Sequence, residues 1–120
     1  MKKRILMIDD EEGFVEAVRM ILEANGYELI SANDGESGLK KALREVPDLI
    51  LLDLVMPKMN GILALSKLRS DLKTVNIPVI ILTAKTENEY AMDAENLGAN
   101  DYLIKPAGMQ EILDMVRRYA

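Results

Sequence analysis

The chain of 120 residues contains no cysteine and no histidine. The first absence removes disulfides, a thiolate nucleophile and Cys-based metal centres. The second removes the commonest general base and the commonest metal ligand. Long apolar runs are missing as well, and none approaches the roughly 20 residues of a membrane-spanning helix. Met1, Lys2, Lys3 and Arg4 resemble the charged start of a signal peptide. The apolar run behind them, Ile5 to Ile8, is cut short by Asp9 and Asp10 and is too brief for a signal sequence. An excess of positive charge is also lacking. With 20 acidic against 15 basic residues the net charge is -5, which argues against bulk nucleic-acid affinity, since that rests on Lys and Arg neutralising phosphates. The expectation is a single cytoplasmic domain over residues 1–120, with no membrane contact and no direct contact to nucleic acid.

What is present is a regular alternation. Short runs without polar interruption stand at Ile5–Ile8, Leu49–Leu52 and Val79–Leu82. Such runs suit strands buried on both faces of a parallel sheet. Tyr27–Ala32 and Asp101–Ile104 are weaker strand candidates. Between them lie helical patterns. Phe14, Val18, Ile21 and Leu22 share one helical face, and Asn25-Gly26 is a stop. Leu39, Ala42, Leu43 and Val46 repeat the pattern until Pro47 ends it. Asn60-Gly61 is a turn before Ile62, Leu65 and Leu68. Thr86 and Glu89 form a capping box, and Gly98 closes that helix. A last helix runs from about Met109 to Tyr119. Five strands alternating with five helices imply right-handed βαβ units and an α/β, doubly wound parallel sheet. The eight methionines read as gap-filling core, and Phe14 as core or as part of a docking surface.

Ligands of such sheets bind beyond the carboxyl ends of the strands, where strand order reverses. After the first run stand Asp9 and Asp10, after the third Asp53, after the fourth Thr83, and after the fifth Lys105 and Pro106. Each has an ordinary reading. Asp9 to Glu12 suit a helix N-terminus, Thr83 suits a strand, and Lys105 suits a surface. Their convergence on one edge outweighs those readings. Two carboxylates 4 Å apart repel by roughly 4 kcal/mol at an effective dielectric of 20, against a domain stability of about 5–15 kcal/mol. Three clustered aspartates therefore need either a protonated member or neighbouring cations. Lys105 supplies one positive charge. Oxygen-only ligands favour a hard divalent cation such as Mg²⁺ over zinc. Cations beside a carboxylate and a hydroxyl suit phosphoryl transfer to an Asp nucleophile.

These residues carry a resemblance. Asp9-Asp10, then Asp53-Leu54-Val55-Met56-Pro57-Lys58-Met59-Asn60-Gly61, then Thr83-Ala84, then Gly98-Ala99-Asn100-Asp101-Tyr102-Leu103-Ile104-Lys105-Pro106 occur in order along essentially the whole chain. The chain resembles the receiver domain of two-component response regulators, of the single-domain chemotaxis-regulator or phosphorelay-carrier kind. The resemblance implies a flavodoxin-like sheet of order 2-1-3-4-5. It implies that Asp53 accepts a phosphoryl group from a phosphohistidine on a histidine kinase or histidine phosphotransfer protein, or from a small phosphodonor. Mg²⁺, with Mn²⁺ as a substitute, would lie on Asp10, Asp53 and the main-chain carbonyl of Val55, with Asp9 acting mainly through water. Lys105 and Thr83 would each contact a phosphoryl oxygen, and Tyr102 would turn inward as Thr83 moves. The Lys105–Pro106 peptide is expected to be cis. The readout surface, including Tyr90, Tyr102 and the last helix, would engage a downstream protein as a monomer or a phosphorylation-dependent dimer.

Such a protein is not a conventional enzyme, because it catalyses only its own phosphoryl transfer and dephosphorylation. Two forms fit: a stand-alone switch or relay carrier, and a receiver cut from a longer DNA-binding regulator or hybrid kinase. Ala107-Gly108 stands where similar domains often have Phe after the Lys-Pro pair, which implies a looser start to the last helix. Val55 has no polar group to orient water, so a long-lived phosphoryl group is expected. An Asp-nucleophile phosphatase would want an acid at Val55. A flavin or nucleotide binder would want glycines and hydroxyls where Asp9 to Gly13 is acidic.

Overall fold

The apolar runs become the strands of one parallel sheet. The structure, a computed structural model, describes residues 1–54, 56, 59–84 and 96–120, with Thr83 and Ala84 described through their backbone. The strands are β1 (Arg4–Ile8), β2 (Glu28–Ala32), β3 (Leu49–Asp53), β4 (Val79–Ala84) and β5 (Asp101–Lys105). The described helices are α1 (Glu12–Ala24), α2 (Gly35–Glu45), α3 (Gly61–Ser70) and α4 (Met109–Tyr119). The helix expected behind the Thr86–Glu89 capping box lies outside the described residues, as does Tyr90. The sheet order is β2-β1-β3-β4-β5, as the family resemblance implied, and all pairings are parallel.

Alternation within each run explains why both faces are covered. Leu6, Ile8, Ile50, Leu52, Val79 and Ile81 face Ala42 of α2 and Ala64, Leu65 and Leu68 of α3. Ile5, Met7, Leu49, Leu51, Ile80 and Leu82 face Val15, Val18 and Leu22 of α1 and Ile112, Leu113 and Val116 of α4. A strand covered on both sides cannot alternate polar with apolar residues, which is why the three central strands carry uninterrupted apolar runs, with polar residues only toward their ends. The methionine reading needs correcting. Met7 and Met56 are core, but Met1 and Met20 are exposed, Met20 by 74%. Phe14 is partly buried against the α1/α4 core.

Local chemistry sets the helix ends. Asn25 caps α1 and Gly26 follows at φ 88, a conformation glycine adopts without steric cost. The side chains of Asp34 and Asn60 accept from the N–H groups of Ser37 and Leu63 and so open α2 and α3. At α4, Glu111 accepts from the Gly108 N–H at 3.2 Å. That start is held by half of a capping box and is not loose. Among the described residues, no helix is long and apolar enough to cross a membrane.

Candidate functional site

The sheet order reverses between β1 and β3, and the acidic residues stand at that point. Asp9 follows β1 directly, its N–H donating to Ala32 O at 3.0 Å. Asp53 is the last residue of β3 and pairs in register with Leu82. It belongs to the strand, not to the loop after it. Thr83 and Lys105 likewise end inside β4 and β5, and Thr83 pairs with Ile104. Asp9, Asp10 and Asp53 each offer a carboxylate oxygen within 4.8 Å of the others. Asp9 and Asp53 are buried, Asp53 with 5% exposure, and Asp10 is exposed.

Lys105 crosses to this cluster from β5. Its ammonium lies 2.9 Å from Asp9 Oδ2, 2.9 Å from Glu11 Oε1 and 3.6 Å from Asp53 Oδ2. The Phe14 ring centroid is 5.1 Å away, within cation–π range. Burial alone would lower the Lys105 pKa. Hydrogen bonds to Asp9 and Glu11 outweigh it and raise the value well above that of a free lysine. Asp9 does not move in the opposite sense, although Lys105 and the Glu11 N–H both stabilise its charged form. Burial dominates and pushes its carboxyl up. Both directions stand, because Asp9 is the more deeply enclosed partner.

Asp9, Asp10, Asp53 and Lys105 are thus brought together as the sequence pattern required. Tyr102 is not among them. It points outward from β5 with 40% exposure. Val55 lies outside the described residues, and Thr83 is placed by its backbone alone. The Lys105–Pro106 peptide is cis. Glu11 was missed. It stands 94 positions from Lys105, and no local pattern signals so distant a pairing.

The donor set fits a hard divalent cation. It offers three carboxylates, two of them buried, and among them Asp9 already has both oxygens engaged, Oδ1 by the Glu11 N–H at 2.9 Å and Oδ2 by Lys105. Asp10, by contrast, stands exposed at the rim of the cluster.

Comparison with known proteins agrees with this geometry. Residues 5–117 match the response regulator receiver domain family. The alkaline phosphatase synthesis transcriptional regulatory protein PhoP of Bacillus subtilis is 44% identical over 93% of this chain. The chain spans about half the length of such regulators, 46% of PhoP. Protein PilH of Pseudomonas aeruginosa is 36% identical, with 94% of this chain and 93% of PilH covered. The receiver domain of the sensor histidine kinase PA1611 from Pseudomonas aeruginosa has a TM-score of 0.90 at 27% identity, covering 99% of this chain and 98% of that one. That structure holds a magnesium ion coordinated in its active site cleft.

Proposed function

The chain belongs to the response regulator receiver domain family, and on that premise we propose that it is a phosphoryl-accepting switch with Asp53 as the acceptor. The observation that carries this reading is the reach of Lys105 from β5 to a three-carboxylate cluster, 3.6 Å from Asp53. A buried nucleophile beside a fixed ammonium suits a group whose oxygens bring negative charge.

An Asp53 carboxylate oxygen attacks phosphorus, and the bond from phosphorus to the donor atom breaks. The donor is a phosphohistidine of a histidine kinase or phosphotransfer protein, or a small acyl phosphate. Lys105 holds a phosphoryl oxygen. Thr83 donates its hydroxyl to another, and Tyr102 turns inward as Thr83 moves. Asp10, Asp53 and the main-chain carbonyl of Val55 would hold Mg²⁺ or Mn²⁺, with Asp9 acting through water. That cation would supply the positive charge which offsets the carboxylates and the incoming oxygens. Water later cleaves the acyl phosphate, slowly if Val55 orients none. The added charge of about -1.5 to -2 biases a two-state element that a downstream protein reads. The protein thus performs only its own phosphoryl chemistry. The near-complete coverage of PilH supports a free-standing switch. The half-length match to PhoP supports a receiver within a longer DNA-binding regulator.

The test is incubation with acetyl phosphate, with and without Mg²⁺, read by intact mass. The expected result is one Mg²⁺-dependent phosphoryl adduct in the wild type and none in Asp53→Asn. An adduct that persists in Asp53→Asn overturns the assignment.

A further inference from the structure

Glu11 occupies the N-cap of α1, where its carbonyl accepts from the Val15 N–H at 3.0 Å but its side chain does not serve the helix. That position favours Ser, Thr, Asp or Asn, and the Glu11 side chain makes no capping hydrogen bond there. Its backbone N–H is fixed by Asp9 Oδ1 at 2.9 Å. Its carboxylate instead reaches across to Lys105 at 2.9 Å. Phe14, one turn further along α1, adds its ring face to the same ammonium. Three groups around the start of α1 therefore hold Lys105, and two of its three N–H donors are committed to Asp9 and Glu11. At 3.6 Å, Asp53 is beyond hydrogen-bond distance.

The two carboxylates that hold Lys105 differ in how readily they let go. Asp9 is buried and held by two donors, and its side chain has no exposed surface. The Glu11 side chain is 60% exposed and is readily hydrated when released. An anion arriving at Asp53 that draws the ammonium closer competes first with Glu11.

We propose that Glu11 is a positioning residue that acts through Lys105, holding the ammonium toward α1 so that a phosphoryl group on Asp53 must displace it. The proposal rests on the phosphoacceptor reading and adds to it a restraint that sets how tightly the site takes the group.

Beryllofluoride, an unreactive phosphoryl mimic, tests this by titration in excess Mg²⁺ followed through backbone amide shifts. Glu11→Gln is expected to bind it about two- to fivefold more tightly than the wild type, the range of an exposed ion pair. The gain disappears in about 1 M salt, where screening acts within roughly 3 Å. Glu12→Gln, which removes the same charge one residue away, leaves the affinity unchanged. In acetyl phosphate loading, the half-saturating donor concentration falls by the same factor in Glu11→Gln, and the maximal rate does not change. Equal or weaker binding by Glu11→Gln overturns the proposal. So does a gain that survives high salt, or an equal gain in Glu12→Gln, which would show a general field and not a held lysine. If the wild type takes neither beryllofluoride nor a phosphoryl group, the phosphoacceptor reading falls and this inference with it. If the wild type takes both and Glu11→Gln matches it, this inference falls alone.

Discussion

Val46 ends α2 with φ 44 and ψ 68, a left-handed conformation. For a β-branched residue this is an outlier, because Cβ crowds the following carbonyl. The Val46 N–H closes on Ala42 O at 3.0 Å, and Pro47 then redirects the chain toward β3. Val46 is half exposed and adds little to the core. Val46→Gly is therefore expected to stabilise the fold by about 0.5–1 kcal/mol, the relief of strain exceeding the entropy cost of glycine. Urea unfolding with an unchanged slope and a higher midpoint would show it. A lower midpoint would mean that the side chain does more than the contacts suggest. At the same scale, Asp9 and Lys105 show that one ion pair need not shift its partners in opposite senses. Burial decides for the carboxyl, and the number of anionic partners decides for the ammonium.

Elements position the site through their ends. The turn from β3 into α3 brings Gly61 back on Asp53, where its N–H donates to Leu54 O at 2.7 Å. A Cβ at Gly61 would come within 2.4 Å of the Asp53 carbonyl oxygen and 2.5 Å of the Leu54 Cα. Both are backbone atoms that cannot swing aside. Gly61→Ala is expected to cost about 1–3 kcal/mol and to slow acetyl phosphate loading, because the chain must move at the acceptor itself. Wild-type loading in a variant of lowered melting temperature would separate the turn from the chemistry. At the other end of the sheet, the Arg69 guanidinium donates to Ile77 O at 2.8 Å, Gly98 O at 2.9 Å and Asn100 Oδ1 at 3.1 Å. Asn100 Oδ1 also accepts from Val79 N–H at 3.0 Å. These bonds join the approaches to β4 and β5, and so help to set the register that delivers Lys105.

The molecule as a whole carries an electrostatic cost at one edge. Three carboxylates meet there, and Lys105 answers only part of their charge. Anything that binds the folded site and not the unfolded chain raises stability by mass action, about 2.7 kcal/mol at a hundredfold excess over Kd. Mg²⁺ is expected to raise the melting temperature by several degrees, with EDTA reversing the shift. Asp10→Asn, which removes the exposed carboxylate while leaving the Lys105 pairs in place, should lose most of that response. An equal Mg²⁺ shift in Asp10→Asn would take Asp10 out of the ligand set.

The strands and their burial were legible in the residues, because an apolar run without alternation fits only a strand covered on both faces. The gathering of Asp9, Asp10, Asp53 and Lys105 was legible for a related reason. Parallel strands carry their C-terminal residues to one edge, so the residue ending each run marks the site. Helix stops at Asn25-Gly26 and Pro47, and the helix start at Asn60-Gly61, were equally local. Other features were decided by tertiary structure alone. Gly61 is needed because the backbone of Asp53 and Leu54, eight and seven residues back, fills the space a Cβ would take. Glu11 holds Lys105 because sheet order and register set the tip of β5 beside the start of α1. Neither residue's neighbours in the chain contain that distance, since contacts between residues 94 positions apart arise only when the whole sheet has assembled.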